Sequence, residues 1–300
     1  MWVALPAALI KAGHQVSFLE GGLDEGLLDN ADFVLTDPER TLRQAREGRA
    51  VLDYVYAHCA DRAHHAKKVV DGHLVGEVSK LKAVEMSKAL GLRHPRVFSS
   101  LSDPDTSFPL VAKPNLGSRG QGIKLLWSRE GLPRFTPGSY VLQEYLDTKT
   151  GYAVSFRILT VVDRVLSGAM FYNGTAMLSN LSQGGDAIAF TGPNRSRGLS
   201  QEQEGLVRRL GLDPANRSIP DEVLGMTSKV GKYLSARGAQ ILGQDYIVDR
   251  DGRWYFCEAN AYPGYLVLDI TDGEGKKQVL QAYRLATRML SEAIVEAFAS

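Results

Sequence analysis

From Leu5 to about Pro95 the apolar positions switch between helical and strand spacing. The pattern predicts a helix near 5–13, strands near 15–19 (QVSFL) and 32–36 (DFVLT), and a long helix over 38–60. A further helix runs from Ser79, a good N-cap residue, to Gly91, a good C-terminal stop. Such alternation predicts a small α/β domain with a parallel sheet, closed at Pro95. The opening MWVALPAALIKAGH reads as the helix before the second strand of a βαβ unit, the first strand being missing or reduced to Trp2–Ala4.

Residues 96–146 change character. Short runs (RVFSS, PLVAKP, GIKLLW, YVLQEYL) are separated by Gly, Pro and Ser clusters, which predicts a small antiparallel lobe. After Gly151, SFRILTVV and RVLSGAMFY read as paired strands turning near Asp163 and Arg164. A polar, glycine-bearing stretch fills 173–199, and helices follow near 201–211 and 220–237. A hairpin covers 241–259 with an Asp251-Gly252 turn, and an amphipathic helix over 276–299 closes the chain. The expected organisation is three parts: 1–95, 96–150 and 151–300.

Composition narrows the function. With 35 basic and 34 acidic residues in 300, the formal charge is +1, which argues against nucleic acid as the main partner. The hydrophobic share of 44% supports a folded core and excludes a disordered or fibrous chain. Cys59 and Cys257 show no metal-ligand spacing, so a zinc site or disulfide framework is not expected. No apolar run reaches the roughly 20 residues of a spanning helix, and no basic segment precedes the apolar opening. The expectation is a cytoplasmic protein with no membrane partner; a homo-oligomer remains open.

Two segments carry chemistry. In GQDYIVDRDGRWYFCEANAYPGY, strand alternation puts Trp254, Phe256, Glu258 and Asn260 on one face. A turn centred on Arg250-Asp251 would set Val248 opposite Arg253 and Asp245 opposite Phe256, with Asp245 diagonal to Glu258 on the same face. Two carboxylates and an amide there form an all-oxygen site suited to a hard cation such as magnesium. The alternative is an exposed sheet face with two solvated acids. By parity Cys257 points away from that face and reads as core. In FPLVAKPNLGSRGQGIKLL, Gly117, Gly120 and Gly122 lie between two strands, fitting neither the Walker A nor the Rossmann pattern. Such a loop can bring backbone N–H groups to phosphates beside Lys113, or be only a flexible hairpin.

Taken in order, these segments resemble the ATP-grasp superfamily, and within it the RimK-type glutamate ligases and bacterial glutathione synthetases, from about Ser79 to Gly264. SKLKAVEMSKALGL is similar to the family's lysine-bearing helix, which makes Lys80 a phosphate contact. VAKPNLGSRGQGIKLL resembles the strand with Lys113 and the loop that closes over ATP. YVLQEYL resembles the interlobe strand, where Gln143, Glu144, Tyr145 and Leu146 would border the adenine. SFRILTVVDRVLSGAM implies Arg157 near the transferred phosphoryl group, and NLSQGGDA implies Asn180, Gly184 and Gly185 at the active site. Asp245, Glu258 and Asn260 match the family's magnesium ligands.

The resemblance implies an ATP-grasp fold and an ATP-dependent carboxylate–amine ligase working through an acyl phosphate. ATP with Mg2+ or Mn2+ would be the cofactors, and the substrates would be small molecules or peptides bearing a carboxylate and an amine. Departures touch the substrate. Ser155 stands where the RimK type usually has an aspartate facing the ribose, so that contact is either weakened or supplied elsewhere, Asp147 being one candidate. Ser179 stands where a cationic residue often meets substrate; Arg195 and Arg197 would compensate or be ordinary surface residues. Two other classes stay open: a phosphotransferase on the same scaffold, and a non-catalytic nucleotide-binding protein of coat-associated or regulatory type, which the NLSQGGD turn also resembles.

Overall fold

A computed structural model describes residues 33–35, 68–70, 79–101, 105–115, 120–129, 138–148, 150–175, 178–179, 184–191, 198–237 and 241–260. Strands β1 (Phe33–Leu35) and β2 (Lys68–Val70) pair in parallel, as expected for this segment, although β2 had no clear pattern of its own. The expected helices at 5–13, 38–60 and 276–299 and the strand at 15–19 lie outside the described residues.

Helix α1 (Lys80–Leu90) begins where its cap chemistry places it. Ser79 Oγ accepts from Lys82 N–H at 3.2 Å, and Gly91 ends the helix in the left-handed region at φ 62°. A second cap comes from far along the chain. Lys80 N–H donates to the Asn115 carbonyl at 3.2 Å, and Leu81 N–H donates to Asn115 Oδ1 at 3.0 Å. The start of α1 is thereby tied to the end of the lysine-bearing strand.

Strands β3 (Val97–Phe98), β4 (Leu110–Pro114), β5 (Lys124–Leu126) and β6 (Tyr140–Glu144) form an antiparallel sheet in the order β3-β6-β4-β5. Phe98, Leu110, Ala112, Leu126 and Leu142 cluster on one face. By alternation Val111, Lys113, Val141 and Gln143 take the other face, with Val111 opposite Gln143 and Lys113 opposite Val141.

The larger sheet has five antiparallel strands in the order β11-β10-β7-β8-β9. Its members are β7 (Ala153–Val161), β8 (Arg164–Asn173), β9 (Asp186–Thr191), β10 (Ile241–Val248) and β11 (Trp254–Asn260). Strand β9 corrects the expectation of a polar stretch through 173–199. Ile188 and Phe190 alternate into the core while the flanking glycines and Asp186 masked the period. Helices α2 (Gln201–Arg209), opened by a Ser200/Gln203 capping box, and α3 (Asp221–Ser235) cover one face. Phe156 is the hub beneath them, edge-on to Phe190 at 4.7 Å and to Trp254 at 4.9 Å. Gly231 of α3 sits against the β7–β8 turn, where any Cβ would collide with the Val162 carbonyl oxygen.

The β10–β11 hairpin departs from its expected register. Val248 pairs with Trp254 rather than Arg253, and Asp245 pairs with Glu258 rather than Phe256. Two causes combine. The Asp249 carboxylate accepts from Asp251 N–H and Arg253 N–H, which lengthens the turn. A β-bulge then leaves Cys257 as an extra residue between the pairs Tyr246–Phe256 and Asp245–Glu258. The bulge reverses parity along β11. Trp254 and Phe256 face the core, whereas Glu258 and Asn260 join Asp245 on the opposite face, so the four do not point one way. Cys257, expected in the core, is half-buried at the bulge.

Candidate functional site

The face of the large sheet opposite α2 and α3 gathers charge. Arg157 of β7 lies directly across from Asp245 of β10. Its Nε donates to Asp245 Oδ1 at 2.7 Å and its Nη2 to Oδ2 at 2.6 Å, a bidentate pair. Asn260 Nδ2 donates to the same Oδ2 at 3.1 Å, and the guanidinium carbon stands 5.9 Å from the Phe171 ring centroid. Lys80 Nζ comes from α1 to within 3.6 Å of Glu258 Oε2. The two metal-type carboxylates thus each hold a cation.

The charges perturb one another. Burial pushes the Asp245 carboxyl up, aided by the like charge of Glu258 and opposed by Arg157 and Lys113. Burial works against the Arg157 charge, but Asp245 and then Glu258 more than restore it. Burial of its sulfur at the bulge pushes the Cys257 thiol up, to about 12. The Lys113 charge favours the charged form of Asp245 and of the Cys257 thiol and opposes that of His94.

The remaining expected residues divide. Glu144 and Tyr145 follow the small sheet outward, but their N–H groups already donate to the Arg96 and Pro109 carbonyls, at 2.9 and 3.2 Å. Glu144 Oε1 accepts from Arg96 N–H at 2.7 Å. Gln143 is buried, and Leu146 follows in the irregular stretch after β6. Gly120 and Gly122 adopt φ values of 72° and 71°, open only to glycine without strain. Gly184, at φ 81°, and Gly185 immediately precede β9. Gly117, Asn180, Arg195 and Arg197 lie outside the described residues. The two unusual serines meet: Ser155 Oγ and Ser179 Oγ are 2.6 Å apart, tying the chain before Asn180 to β7. Asp147 is held by Arg250 at 2.9 Å. Sequence reasoning missed His94, which lies against Gln143, because no local spacing links residues 49 positions apart.

The donor set suits a hard cation. Asp245, Glu258 and Asn260 offer only oxygen ligands, and no cluster of three His, Cys, Asp or Glu occurs among the described residues. Lys80 is the lysine whose ammonium reaches this set, at Glu258.

No protein-family model matches the sequence, and no curated protein matches it. Solved structures do match in shape. One of the ATP-grasp ligase PsnB, complexed with a phosphomimetic variant of minimal precursor, Mg and ADP, aligns with TM-score 0.60 at 14% identity, covering 100% of this chain and 95% of that one. The chain has the ATP-grasp fold. A second PsnB structure, with precursor peptide PsnA2 and AMPPNP, aligns with TM-score 0.52 at 15% identity over 100% and 95% of the two chains. D-cycloserine synthetase DcsG aligns with TM-score 0.51 at 14% identity over 96% and 94%. At these identities the ATP-grasp fold is what is shared. No helix among the described residues is long and apolar enough to cross a membrane.

Proposed function

We propose that the protein is an ATP-dependent carboxylate–amine ligase of the RimK and glutathione synthetase kind, organised as 1–95, 96–150 and 151–300. The observation that carries this reading is the convergence of Asp245, Glu258, Asn260 and Arg157 on one sheet face with Lys80 at its edge. Asp245, Glu258 and the Asn260 amide oxygen would hold magnesium or manganese, which supplies charge neutralisation to the phosphates. Lys80 and Lys113 would bind the phosphate oxygens as point charges. A substrate carboxylate oxygen attacks the γ-phosphorus, the bond to ADP breaks, and an acyl phosphate forms. An amine nitrogen then attacks the acyl carbon, releasing phosphate and losing a proton to give the amide. Arg157 would stabilise the phosphoryl group in flight and then the tetrahedral centre. Asn180, Gly184 and Gly185 would line the acyl end, and the loop bearing Gly117, Gly120 and Gly122 would exclude water. The acceptor is a small molecule or a peptide; solved PsnB structures with a similar fold hold a precursor peptide.

The test is to screen amino acids and peptides for stimulated ADP release with hydroxylamine present. A hydroxamate formed only with Mg–ATP and one class of acid supports the ligase. A phosphorylated hydroxyl product with no hydroxamate replaces it by a phosphotransferase.

A further inference from the structure

The first turn of a helix leaves N–H groups without a carbonyl of their own to bond. In α1 these are met from two directions. Lys82 N–H donates to Ser79 Oγ at 3.2 Å, the local cap. Lys80 N–H donates to the Asn115 carbonyl at 3.2 Å and Leu81 N–H to Asn115 Oδ1 at 3.0 Å. A residue 34 positions beyond Leu81 thus takes two bonds that a helix usually gives to water or to a nearby side chain.

Asn115 is itself held. It follows Lys113 and Pro114 of β4, and its own N–H donates to the Ser139 carbonyl at 2.8 Å. Where the glycine-rich segment returns, a Cβ added at Gly122 would come within 2.9 Å of Pro114 Cγ. The neck of that segment is closely packed, and Asn115 stands in it. The body of α1 belongs to the other sheet, for Ala83 and Met86 are buried in the large core with Phe256 and Ala259. Lys80 is the first residue of the helix, and its side chain, only 11% exposed, brings Nζ to 3.6 Å from Glu258 Oε2. The helix is packed on one sheet and capped from the other, with Lys80 at the joint.

We propose that Asn115 is a positioning residue: by capping α1 from the neck of the glycine-rich segment it holds the Lys80 ammonium at Glu258, where phosphates would bind. This rests on the phosphate role given to Lys80 above. A lysine ammonium sits on a flexible stem, so its place depends on where the backbone starts that stem. The 3.6 Å contact with Glu258 is too long for a hydrogen bond and does not fix the ammonium by itself. The Ser79 cap acts within one helix and cannot register it against β4. The two Asn115 bonds run between elements, so they can.

The experiment compares the full-length protein with Asn115→Ala, Lys80→Met and the double variant. Calorimetry with Mg–ADP gives the affinities. Asn115→Ala should weaken binding about fivefold, as expected for one neutral hydrogen bond. In the Lys80→Met background the same change should have almost no effect. A merely structural Asn115 would weaken both backgrounds equally. Amine labelling of the free protein, read by mass spectrometry, reports on Lys80 with no nucleotide present. Asn115→Ala should raise labelling several-fold at Lys80 and leave it constant at Lys88, in the last turn of the same helix. Asn115→Asp, which keeps an acceptor in place, should restore the parental rate. Ser79→Ala, which removes only the local cap, should leave Lys80 close to that rate. Equal labelling in the Ser79→Ala and Asn115→Ala variants would make fraying of the helix the cause and overturn the role of Asn115, as would unchanged labelling or additive affinities. Raised labelling in a protein that binds no Mg–ADP would uphold Asn115 as the holder of Lys80 and overturn the phosphate reading instead.

Discussion

The two sheets make opposite use of the same antiparallel pairing. The large sheet has strands of 6 to 10 residues and buries one face beneath two helices, around Phe156. The small sheet has strands of 2 to 5 residues and a core of five buried side chains. The long strands hold Arg157, Asp245, Glu258 and Asn260 in fixed register, and the short ones present Lys113 and Gln143 on a lighter frame. The bidentate pair and its neighbours are on the heavily packed element, and Lys113 and Gln143 are on the lighter one.

The sharpest way to break this contrast is to empty both cores. Phe156 is fully buried between two aromatic rings, so Phe156→Ala should cost about 3–5 kcal/mol of unfolding free energy. Leu142→Ala in the small core should cost about 2 kcal/mol. Urea denaturation of the two variants gives the comparison. Equal costs would mean that the sheets do not differ in rigidity.

A smaller effect separates chemistry from stability on the large sheet itself. Glu258 is partly exposed and its ion pair with Lys80 is loose at 3.6 Å, a geometry that contributes little to folding. Glu258→Gln should leave the thermal melt of the free protein nearly unchanged, while ADP formation falls on the order of a hundredfold. A variant that loses activity only by unfolding would make the carboxylate structural.

The smallest expected effect lies at the hairpin tip, away from the site. Burial opposes the charge of Asp249, but Arg253 N–H and Nε, Tyr255 Oη and Asp251 N–H all donate to it and hold its pKa below the ordinary carboxylate range. A depressed folded-state pKa means the stabilisation is present above the unfolded value, about 4, and is lost as pH falls below it. Asp249→Asn should therefore cost about 1–2 kcal/mol at neutral pH and soften the acid limb of the stability profile. An acid limb identical to the parent's would show that Asp249 does not anchor the turn.

These contrasts also mark what the sequence could tell. Helix α1 was legible from Ser79 and Gly91 because capping is local, and the short strands were legible from their Gly and Pro boundaries. Asp245, Glu258 and Asn260 were picked out as a set, but the register was not, because a bulge is set by pairing and not by period. Strand β9 hid behind polar flanks. The Arg157–Asp245 pair spans 88 positions and the His94–Gln143 contact spans 49. No spacing rule reaches that far; resemblance named Arg157 and Asp245 separately, and both contacts came through the fold.

The pairing of Arg157 with Asp245 and of Lys80 with Glu258 shapes what the cleft looks like from a distance. Opposite charges a few Ångströms apart cancel beyond a short range, so these two pairs by themselves cast only a weak field into the solvent. For the polyphosphate proposed above, these pairs would supply no long-range pull of their own. Association should then be slow for a charged ligand and almost indifferent to ionic strength. On that proposal, capture would begin on contact, as phosphates and cation trade partners with the resting pairs.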